Sequence, residues 1–129
     1  EPAMTEGNEL NPDKAWAAGG LVTTITDMSK WCQELRDCTL ISPAMKTARF
    51  TRYSEMAFGQ PPPSTFGYGY FSLSLGRWWG HDGSVAGYLT GALFDPVSGA
   101  TLCAASTQSG SPMYEVMKNI AMHLYPGSI

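Results

Sequence analysis

The sequence predicts an α+β fold in which an antiparallel β-sheet is packed by helices. Apolar residues recur at three- and four-residue steps in two stretches, residues 25–35 and 116–124, as in amphipathic helices. Between these stretches, polar and apolar residues alternate over residues 68–75, and a turn sequence at residues 95–99 separates two apolar runs. Helices at both ends of a run of strands joined by short turns are typical of an antiparallel sheet covered by helices.

The first part of the chain, residues 15–60, is predicted to be helical, after an irregular lead-in over residues 1–14. Thr24 or Thr26 is suited to cap the first long helix, because a threonine side chain accepts hydrogen bonds from the free amides of the first turn. The helix should end at Asp37-Cys38, and a second, short helix should begin at Ser42-Pro43. The expected apolar face of the first long helix comprises Ile25, Met28, Trp31, Cys32 and Leu35.

The second part, residues 66–125, is predicted to hold the sheet and the C-terminal helix. Residues 50–65, which include three consecutive prolines, predict a loop or extended connector before it. Residues 68–75 predict a half-buried strand, and Tyr88–Phe94 should pair with Ala100–Thr107 as a hairpin. Ser111-Pro112 is expected to cap the last helix, which should lie on the sheet. Its expected apolar face comprises Val116, Met117, Ile120, Ala121 and Leu124.

Size, charge and cysteine content exclude several classes of protein. At 129 residues, with 43% apolar residues, the chain has the size of one domain with its own core. A net charge of -3 and sparse basic residues argue against a nucleic-acid partner, and no apolar run approaches the roughly 20 residues of a transmembrane helix. The spacing of Cys32, Cys38 and Cys103 does not match a zinc site, and we expect no metal and no cofactor. A Cys32–Cys38 disulfide and three buried free thiols are both open alternatives.

The most informative stretch is Trp78-Trp79-Gly80-His81-Asp82-Gly83-Ser84-Val85-Ala86-Gly87-Tyr88. Its glycines let another backbone or a ligand approach the main chain closely. If this strand lies at a sheet edge, an extended substrate can pair with it, and the amide of Ser84 can point at a developing negative charge. A tight hairpin with a hydrogen-bonded histidine is the alternative interpretation of the same residues.

Several short motifs occur in a characteristic order. From the N-terminus they are Ala17-Ala18-Gly19-Gly20-Leu21-Val22-Thr23-Thr24, Leu40-Ile41-Ser42-Pro43, Phe66-Gly67-Tyr68-Gly69-Tyr70, Gly80-His81-Asp82-Gly83, Gly87-Tyr88 and Asp95-Pro96. This series resembles the C-terminal part of the serine β-lactamase and penicillin-binding-protein superfamily, and is most similar to its branch of class C β-lactamases, DD-peptidases and related esterases. The resemblance implies the C-terminal portion of the β-lactamase/transpeptidase-like fold, and cleavage of an amide or ester through a serine acyl-enzyme.

The resemblance also implies roles for the residues around His81. His81-Asp82-Gly83 matches the family's third motif, which begins with lysine or histidine and ends with glycine. His81 would supply polarity beside the leaving group or help hold the proton network, and the Ser84 amide would be one of two oxyanion-hole donors. A hydroxyl residue usually stands at the position of Asp82 and receives a substrate carboxylate, which an aspartate would repel. We therefore expect a neutral ester, an amide or a substrate with a free amine. The candidate catalytic residues are His81 and Ser84, and the candidate substrate-binding residues are Asp82, Gly83, Trp79 and Tyr68.

Two other motifs of the family are missing from this sequence. The nucleophile motif, Ser-x-x-Lys, and the second motif, Tyr-x-Asn or Ser-x-Asn, occur nowhere in the 129 residues. We therefore interpret the chain as a C-terminal fragment of a serine hydrolase that is not active alone. Without the strands that the family's N-terminal segment supplies, Ala100–Thr107 would present a long apolar edge, so we predict that a second chain or the missing segment pairs there. The resemblance suggests a periplasmic or secreted location.

Two other classes of function fit parts of the sequence. Trp78, Trp79, Tyr68 and Tyr70 could form the aromatic platform of a non-catalytic module that binds a sugar or a peptide. His81, Asp82 and His123 could hold a catalytic metal ion, although they are scattered along the chain.

Overall fold

The structure of the protein is a computed structural model, which describes residues 15–51, 53–56, 64–67, 70–71, 76–85 and 87–129. The expected lead-in over residues 1–14, the three prolines at 61–63 and most of the expected strand over 68–75 lie outside the described residues. The described elements are helices α1 (Trp16–Gly19), α2 (Ile25–Asp37) and α3 (Pro43–Thr51), strands β1 (Tyr53–Met56), β2 (Ser64–Gly67), β3 (Tyr70–Phe71), β4 (Trp79–Val85), β5 (Tyr88–Phe94) and β6 (Thr101–Ser106), and helix α4 (Met113–Leu124). None of the described helices is long and apolar enough to cross a membrane.

The described strands form one antiparallel sheet in the order β1-β2-β3-β4-β5-β6, so each strand pairs with its neighbour in the chain. Consecutive residues of a strand point to opposite faces, and on β5 Leu93 joins the core under α4 whereas Phe94 packs with Leu35 of α2. The sheet is therefore covered by helices on both faces, which confirms the predicted α+β fold. The predicted hairpin is confirmed as well, since Leu89–Phe94 of β5 pair with Thr101–Ser106 of β6.

Strand β1 and the first half of β2 occupy residues that the sequence predicted to be a loop or extended connector. The two strands pair with each other from Tyr53↔Gly67 to Met56↔Ser64. The three prolines that suggested a connector stand between the two strands in the sequence, where they remove no hydrogen bond from the β1–β2 ladder. The prediction extended the effect of these prolines too far along the chain.

Helix α2 begins and ends where the sequence predicts. The hydroxyl oxygen of Thr24 accepts a hydrogen bond from the Asp27 amide at 3.2 Å, and the Asp27 carboxylate lies in the first turn, where the helix dipole favours negative charge. Cys38 follows the helix in the left-handed conformation, with φ of 55°, which terminates the helical hydrogen-bond ladder. The expected capping by threonine and the expected end at Asp37-Cys38 are both present.

The apolar faces of α2 and α4 are only partly covered. Helix α4 lies on the sheet as predicted, and its buried residues are Met113, Met117 and Ala121. A Cβ at Gly91 of β5 would lie 2.6 Å from the Met117 sulfur, so this glycine allows α4 to approach the strand. The expected apolar residues that the described structure leaves exposed are Ile25, Trp31, Val116, Ile120 and Leu124. The periodicity therefore identified the helices correctly, but included residues that no described element covers.

A buried carboxylate joins the turn after β5 to the residues before β4. Asp95 has no exposed surface, and it accepts hydrogen bonds from the Arg77 guanidinium, the Val97 and Ser98 amides and the Ser98 hydroxyl. Burial alone would raise the pKa of Asp95, but the donors of Arg77, Ser98 and Val97 outweigh it and hold this pKa well below its usual range. The turn sequence at residues 95–99 is thus also an anchor for the start of β4.

Trp78 is the second anchor before β4. Its ring is buried and meets Tyr125 edge-on, with 5.6 Å between the ring centroids. Its indole Nε1 donates a hydrogen bond to the buried Ser128 hydroxyl at 2.9 Å, and the Arg77 amide donates to the Ser128 carbonyl oxygen at 3.0 Å. The C-terminal tail therefore fixes the point at which β4 begins.

The three cysteines are free thiols, so the Cys32–Cys38 disulfide is not formed. Cys38 directs its thiol at the Leu35 carbonyl oxygen, 3.3 Å away at the end of α2. Cys32 is buried against the sheet, and burial followed by the neighbouring Cys103 thiol raises the pKa of Cys32 to about 12. The structure therefore contains free thiols, of which Cys32 and Cys38 are buried and Cys103 is half-buried, so the expectation of three buried thiols holds for two of them.

Candidate active site

The register of the β4–β5 hairpin determines which amides of β4 point outward. Val85 pairs with Tyr88 across a two-residue connection, and such a closing pair exchanges both of its backbone hydrogen bonds. Because pairs with and without mutual hydrogen bonds alternate along antiparallel strands, the next pair, Ser84 with Leu89, is of the second kind. The same holds two residues earlier at Asp82. The amides of Ser84 and Asp82 therefore point away from β5.

The same alternation explains how β3 pairs with the side of β4 that faces away from β5. Gly80 also directs its backbone groups away from β5, and β3 takes them up through the Phe71↔Gly80 pair. A Cβ at Gly80 would lie 1.9 Å from the Ala92 carbonyl oxygen, so the backbone approaches there only with glycine. In the described part of the chain, no strand pairs with the outer side of β4 from His81 to Val85. We call this stretch, His81–Val85, the open edge of β4.

His81 stands at the start of the open edge and is exposed, with 57% of its side-chain surface accessible. Its Nδ1 lies 2.5 Å from the Asp82 carbonyl oxygen and 3.8 Å from the carboxylate Oδ1 of the same residue. Trp79, two positions earlier on β4, packs against Phe50 of α3, so His81 lies on the sheet face that carries α2 and α3. The imidazole is thus accessible at the edge while one of its nitrogens faces two oxygen acceptors.

The Asp82 side chain lies on the opposite face, which α4 covers. The hydroxyl of Tyr114, in the first turn of α4, lies 3.3 Å from Asp82 Oδ2, 3.4 Å from the Gly83 carbonyl oxygen and 3.2 Å from the Thr90 carbonyl oxygen. Burial, followed by the charge of Asp82, raises the pKa of Tyr114 to about 12, so the phenol remains a donor near neutral pH. Asp82 was predicted to bind substrate, and the structure gives its carboxylate a partner within the protein, the Tyr114 hydroxyl.

The remaining candidate residues differ in their position at the open edge. Ser84 is exposed, and Gly83 is half-buried at a place where a Cβ would lie 2.5 Å from Thr90 Oγ1. Trp79 is half-buried before the open edge begins, with its ring centroid 6.1 Å from that of Phe50. The structure therefore places four candidate residues, His81, Asp82, Gly83 and Ser84, in succession along the open edge. Trp79 packs against α3 just before it, and Tyr68 lies outside the described residues.

The arrangement does not favour the other two classes of function. Trp78 is buried against Tyr125 on the face that carries α4, and Trp79 packs on the opposite face, so the two tryptophans do not share one platform. Among the described side chains, no group of three or more His, Cys, Asp and Glu residues is placed to hold a metal ion. His123 is exposed near the C-terminal end of α4.

Tyr114 is the residue of this site that the sequence analysis did not identify. Its contact with Asp82 joins residues 32 positions apart, so no local pattern shows it. A weak signal was available, because Tyr114 precedes the buried Met117 by three residues and therefore faces the sheet with it. A tyrosine on the sheet side of a helix needs a partner for its hydroxyl, and here that partner is the third motif.

The comparison with known families agrees with this geometry. The sequence matches the family model described as Beta-lactamase over residues 2–126, which is nearly the whole chain. A comparison with curated proteins gave no match. The matched range includes the described sheet, the helices on both of its faces and the His81-Asp82-Gly83 motif. The chain therefore belongs to the beta-lactamase family.

Proposed function

We propose that this chain is the C-terminal, sheet-bearing part of a serine hydrolase that cleaves an amide or ester through an acyl-enzyme. The observation that carries the proposal is the open edge of β4, where the outward amide of Ser84 stands three positions from the exposed His81. An extended substrate can pair along such an edge through main-chain hydrogen bonds, as an additional strand would. The scissile carbonyl then lies against the strand.

The Ser84 amide acts as one donor of the oxyanion hole in this proposal. A backbone N–H stabilises the negative charge that develops on the carbonyl oxygen, and it does so best when it is already aimed before the reaction begins. The anchors at Trp78 and Asp95 support this role, because they hold the residues before β4, at the end of the strand away from the open edge. Losing one such donor typically lowers the rate by about 10²–10³-fold.

His81 acts on the proton that moves during acyl transfer. An imidazole can accept and donate a proton through its ring nitrogens, and the exposure of His81 at the open edge leaves the ring accessible to a leaving group. Asp82 remains 32% exposed, so its negative charge acts on whatever binds next to His81. This favours a neutral ester, a neutral amide or a substrate with a free amine over one with a carboxylate at this position.

We infer that the nucleophilic serine and its lysine belong to a polypeptide segment beyond these 129 residues, since Ser-x-x-Lys occurs nowhere among them. The outer edge of β6 supports such a segment. On this strand the backbone groups of Thr101, Cys103 and Ala105 point away from β5, and no described strand takes them up. An apolar edge of this kind is stable when another strand covers it.

The outer side of α4 supports the same inference. Val116, Ile120 and Leu124 follow one another at four-residue steps, and all three are exposed. Contiguous exposed apolar residues on a soluble domain indicate a surface that packs against further polypeptide. On the family resemblance, we propose that the assembled enzyme is periplasmic or secreted.

Covalent labelling tests the proposed function. The polypeptide that contains these residues, purified from its source, is treated with a fluorescent fluorophosphonate and mapped by peptide mass spectrometry. We expect one labelled serine, outside the 129 residues, on the same polypeptide or on one that co-purifies. Loss of hydrolytic activity in His81→Ala, with activity retained in the matched control His123→Ala, would also support the proposed hydrolase. The absence of any labelled serine would contradict the hydrolase and favour a non-catalytic binding module.

A further inference from the structure

Asp82 differs from the other aspartates of the described structure in its ionic partner. Each of the others pairs with a lysine or an arginine, namely Asp27 with Lys30, Asp37 with Arg36 and Asp95 with Arg77. Within ion-pair distance of Asp82, the described part of the chain offers only the His81 imidazole. Its Nδ1 lies 3.8 Å from Oδ1, which is too far for a hydrogen bond. The Asp82 carboxylate thus has no lysine or arginine partner among the described residues.

The Asp82 carboxylate also keeps acceptor capacity. Its one described hydrogen-bond donor is the Tyr114 hydroxyl, 3.3 Å from Oδ2, and this hydroxyl is shared with the carbonyl oxygens of Gly83 and Thr90. A carboxylate has about four lone-pair sites, whereas a phenol carries a single hydrogen. The side chain remains 32% exposed. Asp82 therefore retains lone pairs that the donors of a bound molecule can reach.

The distance along β4 sets where such a molecule would carry its donors. Asp82 and Ser84 both direct their backbone groups away from β5, and two residues of an extended strand span about 6–7 Å. In paired strands, side chains that stand opposite each other lie on the same face with Cβ atoms about 5 Å apart. A ligand whose carbonyl oxygen accepts from the Ser84 amide would therefore bring a group about 6–7 Å away next to the Asp82 carboxylate.

From this placement we propose that Asp82 is the specificity-determining residue of the open edge and selects an amide or ester whose leaving group carries an ammonium or guanidinium group. The inference rests on the proposed function, which places His81 beside the leaving group. Asp82 precedes Ser84 on the strand as His81 does, so the cation lies on the leaving-group side of the scissile carbonyl. Both cations donate charge-assisted hydrogen bonds to a carboxylate. A carboxylate at the same point of the substrate is repelled.

Three acetamides of matched length test the proposal on the full polypeptide that contains this chain. N-(3-aminopropyl)acetamide carries an ammonium about 6 Å from its carbonyl carbon when extended. In N-butylacetamide a methyl group stands in its place, and in 4-acetamidobutanoate a carboxylate does. NMR titrations follow the backbone amides of Asp82, Gly83 and Ser84 at about pH 7, where the ammonium and the carboxylate are charged. We expect the ammonium compound to bind about fivefold more tightly than the butyl compound, and the carboxylate compound to bind most weakly.

Two variants separate the Asp82 charge from the net charge of the protein. Asp82→Asn keeps the shape of the side chain and an oxygen for Tyr114 but removes the charge, so the ammonium and butyl compounds should bind equally. The matched control Asp37→Asn makes the same change at an exposed site and should retain the preference. Raising NaCl from about 0.05 M to about 0.5 M should reduce the preference in the unchanged protein, because salt screens exposed charges.

Three results would overturn the proposal. The first is equal binding of the three compounds by the unchanged protein, which requires no variant to fold. The second is the absence of a saturable shift with the ammonium compound, and the third is a preference for it that persists in folded Asp82→Asn. A preference that Asp82→Asn removes, in a protein without a labelled serine, would support recognition of the cation and contradict only the hydrolase. A labelled serine together with equal binding would contradict only the role of Asp82.

Discussion

The two ends of β4 differ in how they are held. Just before the strand, Trp78 is buried and hydrogen-bonded to Ser128, and Arg77 pairs with the buried Asp95; in its first part, Gly80 has strand partners on both sides. From His81 to Val85 the strand pairs with β5 alone among the described strands, and its side chains are largely accessible. We conclude that one end provides stability and the other presents backbone and imidazole groups for binding. Changes at the anchored end should therefore affect folding, and changes at the open edge should not.

Asp95→Asn should have the largest effect on stability. It removes the charge that accepts from Arg77 and from the Ser98 and Val97 donors; Asp95 is fully buried and Arg77 is 34% exposed, and a hydrogen bond to a charged group contributes about 1.5–3 kcal/mol to the unfolding free energy. Urea denaturation followed by tryptophan fluorescence measures the loss. The control is Asp37→Asn, whose ion pair with Arg36 is exposed and should leave the urea midpoint unchanged. Equal losses in the two variants would contradict the role of the anchor.

The same carboxylate predicts how stability depends on pH. The folded pKa of Asp95 is lowered, so its stabilising contribution is complete above the unfolded value of about 3.9 and is lost as the pH falls through that value toward the folded pKa. Unfolding free energies measured between about pH 6 and pH 3 should therefore decline toward acid. The decline should be shallower in Asp95→Asn. An identical slope in both proteins would show that other carboxylates govern acid unfolding.

Ser128→Ala should have an intermediate effect on stability. The Trp78 indole N–H would lose its acceptor in a buried position, and an unsatisfied buried donor costs about 1–3 kcal/mol. A double-mutant cycle isolates this hydrogen bond, because in a Trp78→Phe background no N–H remains and Ser128→Ala should then cost much less. Additive losses in the cycle would mean that the tail stabilises β4 by other contacts.

His81→Ala should have the smallest effect on stability. The side chain is exposed at the open edge, and substitutions at such positions usually change the unfolding free energy by no more than about 0.5 kcal/mol. Thermal denaturation by circular dichroism checks this, with Trp78→Ala as the anchored-end counterpart expected to lower the midpoint strongly. A large loss in His81→Ala would place His81 among the structural residues.

The features that the sequence predicted are those with local causes. The capping of α2 by Thr24 depends on residues within one turn, and the β5–β6 hairpin depends on a five-residue turn sequence between two apolar runs. The glycine-rich stretch around His81 predicted either a strand at a sheet edge or a tight hairpin with a hydrogen-bonded histidine, and β4 forms a tight hairpin with β5 in which His81 Nδ1 contacts the Asp82 carbonyl oxygen.

The features that the sequence did not predict depend on contacts between distant residues. Strands β1 and β2 are stabilised by pairing within the sheet, and their sequences contain little alternation to show it. The contact between Tyr114 and Asp82 exists only because α4 packs on that face. The exposure of Val116 and Ile120 could not be predicted either, because the helical period of apolar residues does not show which of them another element covers.

The measurement that tests the central claim most directly compares two substitutions at one residue of the open edge. Ser84→Pro removes the outward N–H, at a strand position where proline breaks no hydrogen bond to β5, whereas Ser84→Ala removes only the exposed hydroxyl. The rate of acyl-enzyme formation is followed by intact mass in the polypeptide that carries the nucleophile. The account predicts a loss of about 10²–10³-fold in Ser84→Pro, an unchanged rate in Ser84→Ala and similar stability in both. Equal rates in the two variants would contradict a role for the Ser84 amide in acyl transfer.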